Sequence, residues 1–371
     1  DHGTSRGLGD VYKRQVMANK VLVGVSGGVD SSVSAAILKD KGFEVTGAFM
    51  KNWEDDDGTP YCSVKEDFFD AARVCDKLGI ELIQLNFAKE YKEKVFEYFL
   101  DSLKNGKTPN PDIFCNKFIK FDAFYDYAIK NNFDQIATGH YCKIEQKEPS
   151  CLLKKSHDQS KDQTYFLNDI NKEVLNKCLF PIGDIEKSQV REIAKSRDLV
   201  THNKKDSTGI CFIGERPFPE FLSNYLPVKK GDIYDENQNL IGEHNGVYFY
   251  TLGQRQGLGI GGIKGSLEQP WYVAAKDNQK NSLTVVQDNN HPLLFKSELT
   301  VKKINWLVET IPNLKNITAK IRYRQKEQTC TLQETANGWS VKFDVPQRAI
   351  TPGQSVVLYS GDICLGGGEI E

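Results

Sequence analysis

Val21-Leu-Val-Gly-Val25, followed directly by Ser26-Gly-Gly-Val-Asp-Ser-Ser32, is the stretch that decides the fold. The mostly apolar run predicts a buried strand, and Ser31 to Lys41 carries Val33, Ala36 and Ile37 at helical spacing. Between them two glycines let the backbone approach a ligand closely, while serine hydroxyls, successive amides and the positive end of the helix dipole face it. That chemistry binds phosphate. No Gly-Lys-Ser/Thr follows, and the glycine spacing fits neither a Walker loop nor the dinucleotide fingerprint.

Working outward, strands at Glu44 to Met50, Glu81 to Leu85 and Gln135 to Thr138 alternate with helices at Val64 to Leu78, Tyr91 to Leu103 and Phe118 to Lys130. This is the pattern of an α/β domain, a parallel sheet with helices on both faces. Helical periodicity continues at Lys187 to Arg197 and Pro219 to Tyr225. After Pro227 the texture changes to short alternating stretches, at Tyr248 to Thr251, Trp271 to Ala275 and Ser282 to Val286. Further ones follow at Thr300 to Trp306, Ile317 to Arg324, Gln328 to Gln333, Trp339 to Asp344 and Ser355 to Tyr359. The expected organisation is a catalytic domain at 17–225, a β-rich central domain at 226–295 and a C-terminal β-barrel of about six strands at 296–371. The glycine-rich Gly253 to Gly265 reads as a hairpin or substrate-shaping loop, because no strand-to-helix transition follows it. Residues 1–16 show no periodicity and read as a non-native or disordered leader, with Met17 as the native start.

The 371 residues are 39% hydrophobic and 26% charged, which fits a globular protein and excludes collagen-like or wholly disordered chains. No apolar run approaches the ~18 residues of a membrane span, so the expected location is the cytoplasm or an organellar matrix. Net charge is −2, and no block is strongly basic, so any nucleic-acid partner must be argued from motifs. The nine cysteines contain no CxxC pair and no histidine at ligand spacing, which disfavours a disulfide framework or a zinc site. No metal site of the protein's own is expected.

Two cysteines lie in chemically suggestive settings. Thr108-Pro-Asn-Pro-Asp-Ile-Phe-Cys-Asn-Lys117 places Cys115 at the mouth of the helix that begins near Phe118, where the dipole would favour a thiolate. Asp206-Ser-Thr-Gly-Ile-Cys-Phe-Ile-Gly-Glu-Arg216 sets Cys211 between Gly209 and Gly214, in a polar loop suited to a thiol that meets several partners. Taken alone, His140 reads as structural, Lys161-Asp-Gln163 as a solvated turn, and Arg322-Tyr-Arg324 either as a functional group or as an exposed sheet face.

Ser26-Gly-Gly-Val-Asp-Ser31 resembles the signature of the PP-loop ATP pyrophosphatases. Both cysteine stretches, with Gly47-Ala-Phe-Met-Lys-Asn-Trp53, Thr138-Gly-His-Tyr141, Ser160-Lys-Asp-Gln-Thr-Tyr-Phe-Leu167 and Ile321-Arg-Tyr-Arg-Gln325, resemble the tRNA-specific 2-thiouridylases within that superfamily. The likeness runs from about Lys20 to the closing Gly366-Gly-Gly-Glu-Ile-Glu371. It implies that Gly24, Val25, Ser26, Gly27, Gly28, Val29, Asp30, Ser31 and Met50 hold ATP, with Gly139 close by. It implies also that Asn110, Pro111 and Asp112 contact the target uridine, that Cys115 is the nucleophile, and that Cys211 carries a persulfide. His140, Lys161, Asp162, Gln163, Arg322, Tyr323 and Gln354 would touch tRNA. The implied reaction adenylates O2 of the wobble uridine, position 34 in the anticodon loop, and transfers sulfur to C2, with Mg²⁺ accompanying the nucleotide. A sulfur-relay protein or cysteine desulfurase would supply the sulfur, and no membrane or DNA partner is implied. Val25, Phe114 and Phe118 stand where Met, Leu and Glu are usual in the family, and none removes a reacting group. The alternatives are a PP-loop amide ligase, which needs no redox pair, and a non-catalytic tRNA-binding protein.

Overall fold

Val21, Leu22 and Val23 are wholly buried because β1 (Lys20–Gly24) runs through the middle of a parallel sheet. A computed structural model describes residues 19–54, 64–147, 150–206, 218–261, 269–311, 314 and 317–371. The helix α1 (Val29–Asp40) follows β1 and leads to β2 (Glu44–Lys51). Next come α2 (Val64–Leu78), β3 (Glu81–Asn86) and β4 (Gln135–Ala137). Every ladder among these strands is parallel, with β1 between β2 and β4, so the chain returns through a helical crossover each time. Both sheet faces are covered, one by a cluster around Val33, Val74 and Tyr141 and the other by a cluster around Phe99, Ile119 and Phe124. The continuous apolar run of β1 is the signature of a strand buried on both faces.

The predicted helices over 91–103 and 118–130 are each longer than the spacing indicates, spanning 88–104 and 111–130. Each contains a π-helical stretch, at Lys92–Phe96 and Asn116–Ala123. In the second, Phe121 leaves helical geometry at φ −116°, ψ 17°. An extra residue per turn of this kind recurs at functional sites.

The hairpin of β5 (Cys142–Lys147) and β6 (Ser150–Lys155) leaves the parallel sheet, whose far edge is taken instead by β7 (Cys178–Leu179). The central unit is a four-stranded sheet, β8 (Gly231–Tyr234), β9 (Leu240–His244), β10 (Trp271–Asp277) and β11 (Ser282–Gln287). Tyr248 to Thr251, expected as a strand, is instead a 3-10 turn at Val247–Phe249 and the loop after it. The residues described in 253–261 form a glycine loop without a strand, and positive φ at Gly253, Gly257 and Gly259 fits that role.

The C-terminal unit runs through β12 (Phe295–Val301), β13 (Asn305–Trp306), β14 (Ile317–Lys320), β15 (Gln328–Thr335), β16 (Gly338–Arg348), β17 (Ser355–Ser360) and β18 (Ile363–Glu369). It holds more than the six strands expected, since β12 to β18 are seven by themselves, and the β5–β6 hairpin joins its edge through pairing of Ile363 with Lys154. Val357, Tyr359 and Cys364 reach into the same core as Phe99 and Ile119, so the C-terminal unit and the parallel-sheet domain share packing. Removing the barrel would therefore open the core beneath the helix at 111–130.

Candidate active site

The loop after β1 is shaped by its own side chains. Ser26 N donates to Ser31 Oγ at 3.1 Å, and Ser31 and Ser32 hydroxyls donate to Gly28 O at 3.1 and 2.8 Å. Gly27 has φ +74°, and a Cβ there would lie 2.3 Å from Asp67 O. A cradle that only glycine can line, at the start of a 12-residue helix, fits a phosphate chain. Gly24 faces Met50, whose Cε would be 3.0 Å from an added Cβ, and Gly139 packs against Asp30 and Ser31 backbone. Val25 N donates to Ala48 O at 2.8 Å, and Val29 opens α1 as a buried residue. The residues expected to hold ATP thus surround one loop.

Asp30, in the first turn of α1, accepts Tyr141 Oη at 2.8 Å and Lys187 Nζ on both carboxylate oxygens at 2.8 Å. Lys187 also lies 2.7 Å from Asp206, which is bound in addition by Arg191 at 2.9 Å and Lys161 at 3.0 Å. Burial works against the Asp206 carboxylate, yet hydrogen bonds from Lys187 and Lys161 hold its pKa below the usual carboxylate range. Sequence reading named neither Lys187 nor Arg191. Their signal was only Lys187 opening a periodic helix and Asp206 heading the Cys211 stretch.

Cys115 does not sit at a helix mouth, contrary to the expectation. The helix starts at Pro111, with Asn110 as N-cap accepting Asp112 N at 3.1 Å, because two prolines stop it from starting earlier. Cys115 therefore lies in the second turn, where the dipole has largely decayed, and it is buried. Asp112, not Cys115, occupies the first turn. Its residue is exposed at the surface, yet the protein packed around its carboxyl raises the pKa, partly opposed by Lys120. The helix is held from both flanks. Asn116 Nδ2 donates to Phe166 O at 3.0 Å, Lys117 pairs with Asp169 at 2.8 Å, and Thr108 N donates to Pro352 O at 2.8 Å. Beside it, between the helix and the C-terminal sheet, opens a recess of about 730 Å³ lined by Asn110, Phe114, Lys117, Lys303 and Glu369 among others. Cys211 lies outside the described residues.

Family models described as a tRNA methyl transferase HUP domain, a tRNA methyl transferase PRC-barrel domain and an aminomethyltransferase beta-barrel domain match residues 19–215, 219–287 and 296–370. Proteins named tRNA-specific 2-thiouridylase MnmA from Stutzerimonas stutzeri and Francisella tularensis subsp. tularensis are 54% and 56% identical over 95% of this chain, and the matches cover 94% and 99% of their own lengths. The chain belongs to the tRNA-specific 2-thiouridylase family. A solved 4-thiouridine synthetase–RNA complex with bound ATP overlaps 56% of this chain and 49% of its own, at 15% identity and a TM-score of 0.34. The HUP-domain match falls on the parallel-sheet unit described above, and the other two matches fall on the two β units that follow it.

Several residues that the family resemblance assigns to tRNA lie inside the protein. His140 is 7% exposed, with Nδ1 2.8 Å from Thr138 Oγ1 and its ring against Phe121 and Phe180. Burial, and secondarily Lys120, hold its pKa well below 6.5, so the imidazole is neutral. Asp162 is 4% exposed and accepts Ser156 N at 3.2 Å and Thr164 Oγ1 at 2.8 Å. The turn reading of Lys161-Asp-Gln163 thus holds for its half-exposed flanks and fails for its centre. Gln163 Oε1 accepts Tyr141 N at 2.9 Å, which ties this turn to the nucleotide loop through Tyr141 and Asp30.

Arg322 lies not on a strand but in the turn after β14, because β14 stops at Lys320. Its Nη2 donates to Leu252 O, Ala349 O and Thr351 Oγ1 at 3.1, 3.1 and 2.8 Å, joining the central loop to the C-terminal sheet. Ala349 carries φ 54°, a strained backbone for a residue with a Cβ, and this guanidinium helps to hold it. Tyr323 packs on Phe166 at 4.4 Å between ring centres, and Gln354 Nε2 donates to Thr108 O at 2.7 Å just before the Cys115 helix. Arg322→Lys keeps the charge but cannot reach all three acceptors; it is expected to lower unfolding free energy by about 2–3 kcal/mol in urea titration.

Buried thiols elsewhere are unreactive by environment. Burial pushes Cys75 up to about 11 and both Cys330 and Cys364 up to about 12. Among the described residues no group of three or more His, Cys, Asp and Glu side chains forms a metal site, and no helix is long and apolar enough to cross a membrane.

Proposed function

We propose that this chain converts a tRNA uridine to 2-thiouridine in two half-reactions, the first at the Ser26–Ser31 loop and the second at Cys115 and Cys211. The observation that carries this reading is the 54–56% identity to tRNA-specific 2-thiouridylases across essentially their whole lengths, in a chain that carries the Ser26–Ser31 loop, Cys115 and Cys211. In the first half-reaction uridine O2 attacks the α-phosphorus of ATP, and pyrophosphate leaves. The loop amides and the α1 dipole stabilise the departing charge. Magnesium, carried by the nucleotide's phosphates, supplies further charge neutralisation.

In the second, the terminal sulfur of a Cys211 persulfide attacks C2 and AMP leaves with the former O2. The Cys115 thiolate then attacks the Cys211 sulfur, so the sulfur–sulfur bond breaks, the thiocarbonyl is released, and a Cys115–Cys211 disulfide remains for a thiol reductant to reopen. Attack of Cys115 on the persulfide before transfer, which frees sulfide to attack C2, gives the same products. The target base leaves its stack to be reached, which favours the wobble uridine of the anticodon loop. The sulfur arrives from a relay protein or a cysteine desulfurase. The contacts of Asn110 and Pro111 with the uridine, and of Lys161, Gln163, Tyr323 and Gln354 with tRNA, belong to this proposal. For His140, Asp162 and Arg322, positioning is the supported role, since their polar atoms are engaged internally.

Asp112 is the group proposed to accept a proton during sulfur transfer. Its raised pKa means that it becomes protonated, and so inactive as a base, at a higher pH than an ordinary aspartate. The rate should fall as pH drops through that raised value. Asp112→Asn is expected to lower kcat/KM about 10²-fold and to flatten this acid limb, read from thiolation rates between mildly acidic and neutral pH.

The whole reading is tested by supplying ATP, tRNA and a persulfide donor and analysing the tRNA nucleosides by mass spectrometry. The expected result is 2-thiouridine, with AMP and pyrophosphate formed only when tRNA is present. AMP formation that depends on an amino acid or ammonia would establish the ligase alternative.

A further inference from the structure

Lys187 uses all three of its ammonium donors on carboxylates, two on Asp30 and one on Asp206. Its side chain is 11% exposed, its ring neighbour is Tyr141, and its backbone N donates to Asp158 at 3.2 Å where the helix Lys187–Ser196 begins. The ammonium is therefore fixed at the first turn of α1, beside the loop that receives phosphate. The two carboxylates differ in what they keep without it. Asp206 Oδ1 retains Arg191 and Oδ2 retains Lys161, whereas Asp30 retains only the Tyr141 hydroxyl among the partners described. Asp158, which accepts the Lys187 backbone N, faces the same cluster, so three cations (Lys161, Lys187 and Arg191) meet three anions (Asp30, Asp158 and Asp206) and their charges balance before a nucleotide arrives.

We infer that Lys187 is a phosphate-gripping residue of the nucleotide site and that Asp206 stands in for the phosphate when no nucleotide is bound. A triphosphate arriving at Ser26–Gly28 takes the donor that Asp206 holds, while Asp30 keeps the ammonium aimed. Asp206 is left paired to Lys161 and Arg191, so the exchange leaves no buried charge alone. No bond is made or broken in this exchange. The inference rests on the reading of Ser26–Ser31 as the ATP loop.

The test is equilibrium dialysis of the full chain against radiolabelled α,β-methylene-ATP with magnesium, which cannot turn over, for the unaltered protein, Lys187→Gln, Asp206→Asn and the double variant. Lys187→Gln should bind at least about 10-fold more weakly, the loss of one charge-assisted contact. Asp206→Asn should bind about 3- to 10-fold more tightly, because a competitor for Lys187 is gone. The double variant should bind like Lys187→Gln. A merely scaffolding Asp206 gives the opposite sign, weaker binding in Asp206→Asn, and overturns the inference. A gain that persists in the double variant also overturns it, since general electrostatics would then be the cause. Unchanged affinity in Lys187→Gln overturns it as well. No binding by the unaltered chain would overturn the reading of the loop together with this inference, which separates the two failures. Asp206→Asn keeps the test decisive should Lys187→Gln fold poorly.

Discussion

Cys211→Ser is expected to keep tRNA-dependent AMP formation near the unaltered rate while reducing 2-thiouridine formation by about 10³-fold or more. The first half-reaction uses no thiol, whereas the second has no sulfur carrier without Cys211, and loss of a covalent group typically costs this much. Adenylated tRNA should accumulate and be visible as AMP bound to RNA. Cys115→Ser should lose thiolation to the same extent but differ in what is trapped, because the persulfide on Cys211 then has no resolving thiol. Intact-protein mass spectrometry should show one added sulfur, mapping to the peptide that contains Cys211. Mapping it to the Cys115 peptide in the Cys211→Ser protein would reverse the two roles. The burial of Cys115 adds a second expectation. An alkylating reagent should modify it slowly in the free protein, since a thiol buried in the second turn of a packed helix presents little surface.

Gly27→Ala should be nearly as damaging to the first half-reaction. The new methyl carbon would lie 2.3 Å from Asp67 O, with φ at +74°, so either the loop or the start of α2 must move. Adopting that φ with a Cβ costs about 1–2 kcal/mol, and relief of the clash costs a similar amount. An unfolding free energy about 2–4 kcal/mol lower in urea, and AMP formation reduced about 10²-fold, are the expected readings. Binding of tRNA in a gel-shift titration should change far less, because the loop is dedicated to the nucleotide. Equal losses in both assays would mean that the loop serves RNA as well. Gly28→Ala provides the contrast. Its nearest neighbour is only the Ser26 hydroxyl at 3.4 Å and its φ is −97°, so stability should hardly change.

The clamp between the Cys115 helix and the barrel bears on how RNA binding and chemistry are joined. Gly353 has φ +89°, and a Cβ there would lie 2.8 Å from Lys107 Cβ and from Thr108 N. Gln354 then donates to Thr108 O. The turn that carries two residues of the C-terminal unit therefore holds the approach to Asn110 and Pro111 directly. In the proposed function, RNA engaged by the barrel is anchored to the same backbone that sets the start of the catalytic helix.

Local pattern was sufficient for much of this protein. The apolar run at Val21–Val25, the Ser-Gly-Gly-Val-Asp-Ser loop and the periodic helix after it fix a strand, a phosphate cradle and a helix within one short stretch, so no distant residue is needed to read them. The same holds for β2, α2, β3 and most strands of the C-terminal unit, where alternation or helical spacing is strong. Tertiary structure decided the rest. The hairpin at 142–155 has ordinary strand content, and only the free edge of β18, two hundred residues later in the chain, determines which sheet it joins. Cys115 sits about one turn inside its helix and not at its mouth, because the prolines at 109 and 111 define a start that apolar spacing cannot see. Whether His140 and Arg322 face solvent depends on aromatic packing and on carbonyls at Leu252 and Ala349, none of them a neighbour in sequence. The bridge from Asp30 through Lys187 to Asp206 spans more than 150 residues and leaves no periodic trace, since a single long side chain reaching across a fold is constrained by three-dimensional distance alone.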